Sequence, residues 1–133
     1  MNRSIEELLL CPYLIIDVLP RQVKYGSPGQ YFAVEKYSLS EPQISRIKRK
    51  HIDLVLKLNC YMSIALGEYG EPDPPPELTA ESMRRERQCI LLDGAMIVSE
   101  PDETYLTLYN ADEELAELVK ILAAGEGLYV WEP

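Results

Sequence analysis

The chain has 133 residues and a mass of 15.2 kDa, the size of one ordinary domain, and its composition of 47% apolar and 26% charged residues is that of a folded protein. The net charge of −9 is lopsided: residues 1–92 hold 12 acids and 12 bases, whereas residues 93–133 hold 10 acids against Lys120 alone. That balance lacks the surplus of Lys and Arg with which a nucleic-acid binder displaces counterions or a peripheral protein grips an anionic membrane, and no apolar run approaches the roughly 18 residues of a membrane span.

Ser4 and Glu7 form a capping box ahead of Leu8-Leu9-Leu10, and Pro12 limits the helix they open to a couple of turns. Glu6 and Glu7 also interrupt the apolar stretch a signal peptide needs, which points to a cytoplasmic protein. Tyr13–Val18 is β-branched and apolar except for Asp17, and predicts a strand. Pro20–Gln30 reads as a loop turning at Gly26-Ser27-Pro28-Gly29, and Tyr31–Ser38 as a second strand. Ser40 and Gln43 cap the best-marked helix, with Pro42 in its first turn. Ile44, Ile47, His51, Val55 and Leu58 then share one face, while Arg46, Arg49, Lys50, Asp53 and Lys57 project from the other. From Cys60 to Leu66 the pattern turns to a strand.

Residues 67–78, with four prolines among acids, read as a flexible Pro-rich linker between two halves; a short helix capped by Thr79 follows and ends at Arg85. Cys89–Leu92 and Ala95–Val98 about Asp93-Gly94 predict a hairpin with a two-residue turn. Tyr105–Tyr109 is a further strand. Asn110 and Glu113 cap a helix whose stripe is Leu115, Leu118, Val119 and Leu122, Gly125 stops it, and Leu128–Trp131 closes the chain as a strand. The sum is a single-domain α+β fold over residues 1–133. It has a mixed, mostly antiparallel sheet of about six strands and two main helices, in two strand–strand–helix–strand halves.

No phosphate-loop, dinucleotide-binding or nucleophile-elbow motif occurs, so no cofactor is expected. Cys11, Cys60 and Cys89 lack zinc-ligand spacing and read as reduced thiols, mostly buried as small hydrophobes, with no metal. Cys60 lacks the nearby cation or helix N-terminus of a reactive thiolate; Cys89 follows Arg84, Arg85 and Arg87, which strand geometry turns elsewhere, and both read as structural thiols. His51, the one histidine, sits in the middle of an apolar helix face and reads as a core residue with a hydrogen-bond partner.

Asp17 is the oddity, because an acid inside an apolar strand costs free energy unless it is paired or faces an opening. Glu35, on the expected neighbouring strand, would lie beside it, and two carboxylates on one face suit acid–base work or cation binding. Nine tyrosines against one phenylalanine supply half-buried surface. In the acidic C-terminal third, Glu100, Asp102, Glu103, Glu113 and Glu117 exceed what helix caps require and compose a face for a basic partner. The leading expectation is a non-enzymatic interaction protein of accessory or inhibitor/immunity-like kind. It would dock a basic protein surface, or another copy of itself through the basic face of the second helix. The alternative is a small-molecule-binding protein or enzyme using Asp17, Glu35 and a tyrosine in a cleft.

Overall fold

In the computed structural model, which describes residues 3–21 and 23–133, six strands form one sheet: β1 (Tyr13–Asp17), β2 (Ala65–Leu66), β3 (Gln88–Leu91), β4 (Met96–Ser99), β5 (Tyr105–Tyr109) and β6 (Tyr129–Trp131). Their order is β2-β3-β4-β5-β1-β6, and every pairing is antiparallel. The described helices are α1 (Ile5–Leu8), α2 (Tyr31–Ser38), α3 (Gln43–Tyr61), α4 (Pro76–Arg85) and α5 (Glu113–Gly125). The α+β class, the six strands and the two dominant helices, α3 and α5, match the sequence pattern. None of the described helices is long and apolar enough to cross a membrane.

The core lies on one face of the sheet. Ile16, Ile90, Ile97, Leu106 and Leu108 point to that side and meet Ile52, Leu54, Val55 and Leu58 of α3, Met83 of α4, and Leu115, Val119 and Ala123 of α5. Fully burying side chains of this size is worth roughly 1.5–3 kcal/mol each, which is why α3 and α5 hold their places. The opposite face is covered only in parts. Leu8 of α1 seals Met96 and Val98 at one end, and α2 stands at the other.

Cap and turn chemistry that is self-contained forms as the sequence predicts. Ser4 Oγ accepts from Glu7 N at 3.2 Å, with the reciprocal bond from Ser4 N to Glu7, so the first capping box is real. Leu92 N bonds Ala95 O at 2.9 Å around Asp93-Gly94, with Gly94 at φ +75, where a Cβ would be strained.

Several expectations are corrected. Residues 31–38 are helix, not strand: only Tyr31, Glu35 and Ser38 are half-buried, a spacing of four and three that belongs to a helix. The apparent two-fold likeness of the halves disappears with that strand. Helix α3 continues through Cys60 to Tyr61 because Leu54, Val55 and Leu58 keep burying on its inner face, which leaves Ala65–Leu66 as the whole of β2. It also begins later than the Ser40–Gln43 box implies. Pro42 precedes its first residue, and Ser40 Oγ bonds Gln43 Oε1 at 3.1 Å without capping the backbone.

Pro76 opens α4, so residues 76–78 are helical and Thr79 lies buried inside the helix, not at its cap. Ahead of it, Asp73 ties the proline segment down, accepting from Asn59 Nδ2 at 2.8 Å, Ser63 Oγ at 2.7 Å and Ile64 N at 3.1 Å. Asp112, not Asn110, caps α5 by accepting from Leu115 N at 2.8 Å. Asn110 takes a left-handed φ of 60 and donates to Gly94 O at 2.8 Å, and the left-handed residue after the helix is Gly127, not Gly125.

His51 is fully buried in α3, as its apolar face demands. Its Nε2 donates to Thr104 O at 3.1 Å, and its Nδ1 accepts from Lys48 Nζ at 3.1 Å. These partners select the neutral tautomer. Burial first, and the Lys48 ammonium second, push its pKa down to about 3. Lys48 is only 4% exposed, and burial lowers its amine to about 8 against the upward pull of Glu103, Asp102 and Glu100.

A histidine held neutral in the fold lets the unfolded chain bind the extra proton between its ordinary pKa of 6.5 and about 3. Acidification through that window therefore costs stability, by up to about 1.4 kcal/mol per pH unit from this group. Urea unfolding of the protein and of His51→Gln at several pH values should show the variant losing less on acidification. A parent-minus-variant difference that stays flat would mean that His51 is charged in the fold.

Candidate functional site

Every second residue of a strand shares a face, so the partners of the core residues point the other way. Register places Asp17 opposite Tyr105, Ile15 opposite Thr107 and Tyr13 opposite Tyr109, while β6 sets Trp131 beside Ile15. Above this floor, α2 brings Tyr31 and Glu35 on one helical face, four residues apart. Together they line a cleft of about 380 Å³. The structure thus brings Asp17, Glu35 and tyrosines into one opening. Glu35 arrives from a helix over the sheet, not from a neighbouring strand.

Asp17 is 5% exposed. Its carboxylate accepts from Leu19 N at 3.2 Å. Burial raises its pKa above the ordinary value; the hydrogen bonds from Leu19, the Thr104 side chain and Val18 pull the other way, and the Glu35 charge adds to the rise. The surrounding phenols register the same field. Tyr31 is raised by burial and then by Asp17 and Glu35, and Tyr105 by burial and then by Glu103, Glu100 and Asp17. The Tyr13 and Tyr109 rings meet at a centroid distance of 5.3 Å, tilted. The Trp131 indole N–H is buried without a hydrogen-bond partner among the described residues.

Thr104 links this cleft to the core. It is 3% exposed, its carbonyl takes the His51 hydrogen bond, and its side chain favours the charged form of Asp17. His51 therefore positions the strand end that carries Tyr105, one layer behind the cleft.

The acids named from the sequence do not compose one surface. Glu100, Asp102 and Glu103 lie in the loop entering β5, at the Asp17 end; Glu103 feels Glu35, and Glu100 pairs with Arg87 at 2.9 Å. Glu113 and Glu117 belong to α5, which follows the far end of β5, and Glu117 lies 3.7 Å from Lys120. The cysteines are less buried than expected. Cys60 is exposed at the last turn of α3, and Cys11 and Cys89 are intermediate. Burial raises the Cys89 thiol, with Arg87 as a smaller opposing influence, so it holds its proton.

Nothing in the local sequence marks Tyr31, Tyr105 or Trp131 as a site residue, although the Asp17–Tyr105 and Ile15–Trp131 alignments follow once the strands pair. No protein-family model matches the chain, and comparison with curated proteins and with solved structures likewise gives no match.

A carboxylate whose pKa the fold raises is charged at a cost, because the unfolded chain ionises more readily. Its contribution to stability exists at low pH and is lost as pH rises through the folded pKa. Asp17→Asn should accordingly melt at or above the parent temperature at neutral pH, as expected where a charge serves function and not stability. A clear drop in the melting temperature would make the carboxylate a structural anchor for Leu19 and Thr104.

Proposed function

We propose that the protein binds a small polar ligand in the cleft between α2 and the β1–β5–β6 face, with Asp17 as the buried anchor and Glu35 on the opposite wall. The supporting observation is one carboxylate, 5% exposed, turned away from the apolar core and toward an opening of about 380 Å³ walled by tyrosine and tryptophan. Pockets of roughly 300–1,000 Å³ with few converging polar groups are the usual form of small-ligand sites. The same pair serves acid–base chemistry if a substrate lies between them.

Docking of a basic protein surface is the second reading, and what favours it is placement. Glu100, Asp102 and Glu103 crowd the same end of the sheet as Asp17 and Glu35, so this end is anionic as a whole. A basic partner would centre there, with Glu113 and Glu117 too far along the sheet to share the contact. Pairing of the α3 bases with α5 acids between copies has less to work with, since Lys57 already meets Glu126 within the chain.

Trp131 is the single tryptophan and lines the cleft, so its emission reports occupancy. A chemically broad small-molecule screen should yield compounds that change that emission and raise the melting temperature, both effects being weakened in Tyr105→Ala. Compounds that stabilise the protein equally in Tyr105→Ala, with Trp131 emission unmoved, would place the binding site elsewhere.

A further inference from the structure

We infer that the group this cleft takes is an organic cation, a guanidinium or ammonium on a short apolar stem; the inference rests on the reading of the cleft as a ligand site. The lining has one sign of charge. Asp17 and Glu35 face the opening, Glu103 and Glu100 stand behind Tyr105, and neither Lys nor Arg lines it. The nearest buried base, Lys48, sits beyond Thr104 with its ammonium hydrogen-bonded to His51. An anionic ligand would meet two carboxylates with no counter-charge in the lining, and Arg87, which acts on Tyr109, is paired with Glu100.

Asp17 supplies the second reason. It is buried, accepts a hydrogen bond from the Leu19 backbone, and forms no salt bridge among the described residues. A desolvated carboxylate without a cation is costly, and a ligand cation removes that cost as it binds. The aromatic walls supply the third. Tyr13, Tyr31, Tyr105, Tyr109 and Trp131 line the cleft, and aromatic rings attract cations. A metal ion fits less well. No three His, Cys, Asp or Glu side chains converge as a ligand group among the described residues, and a hard divalent ion wants about six oxygens. The volume, about 380 Å³, suits one head group and its stem. That chemistry has two sources, a free amine or guanidine and the side chain of a Lys or Arg in another protein.

Titration of the protein with n-butylguanidinium, n-butylammonium, butyramide and butyrate, followed by Trp131 emission, separates the charge states at nearly constant shape. Both cations should bind saturably and at least about ten-fold more tightly than the amide or the carboxylate. Asp17→Asn should lose most of that preference. Glu35→Gln, a change on the half-buried wall that leaves the core untouched, should lose part of it and keeps the test decisive if Asp17→Asn folds poorly. A short acetylated glycine peptide with one central arginine tells the sources apart: tighter binding than the free cation points to a protein side chain, weaker binding to a free small molecule. Equal or better binding of butyramide or butyrate overturns the cation inference and leaves the ligand cleft standing. Binding of none of the four overturns it too, and the broad screen then decides whether the cleft is a site at all.

Discussion

The period of two along β1 and β5 is the constraint from which the rest of the molecule follows. Leu14, Ile16, Leu106 and Leu108 turn to one side of the sheet, where α3, α4 and α5 bury them. Tyr13, Asp17, Tyr105 and Tyr109 are then obliged to turn to the other. A slip of one residue in the β1–β5 register would carry Asp17 into the core and Ile16 into the cleft, and the several kilocalories of apolar burial forbid it. The polar cleft is therefore held in register by the core on the reverse of the same strands.

A second chain of dependence crosses the sheet end. Lys48, His51, Thr104 and Asp17 are each nearly inaccessible; Lys48 hydrogen-bonds His51, His51 hydrogen-bonds the Thr104 carbonyl, and the Thr104 side chain favours the Asp17 carboxylate. Buried polar groups in such a series are costly singly and tolerable together, because each satisfies the desolvated atom beside it. Lys48 carries the positive charge in this series and answers the field of Glu103, Asp102 and Glu100. His51 stays neutral between the ammonium and the carbonyl, so the strand end that bears Tyr105 is fixed without putting a positive charge into the cleft.

Helix α2 is the least constrained part of the site. None of its residues is buried, Phe32, Val34 and Tyr37 are exposed, and only Tyr31 and Glu35 reach toward the sheet. A helix with so little apolar burial owes its position to few contacts, which is the condition under which an element can adjust to a ligand. The cleft thus combines a rigid floor, set by β1, β5 and β6, with a lightly held wall.

The sequence alone determined what depends on near neighbours. The Ser4–Glu7 box, the Asp93-Gly94 hairpin, the five residues of β5 and the buried face of α3 around His51 are set by contacts within a few residues, and each is legible as written. It also marked Asp17 and Glu35 as carboxylates with no evident reason to be where they are. Tertiary structure decided the rest. Residues 31–38 alternate like a strand and space like a helix, and only the place offered over the Asp17 end of the sheet chose the helix. Cys60 looked like the start of a strand because nothing local says that the α3 interface continues past Asn59. The burial of Lys48, the company of Tyr105 and Trp131 around Asp17, and the separation of Glu100–Glu103 from Glu113 and Glu117 all depend on strand order. Pairing between residues about 90 apart, as of Ile15 with Thr107, leaves no trace in local pattern, because the free energy that selects it comes from surfaces that meet only in the folded chain.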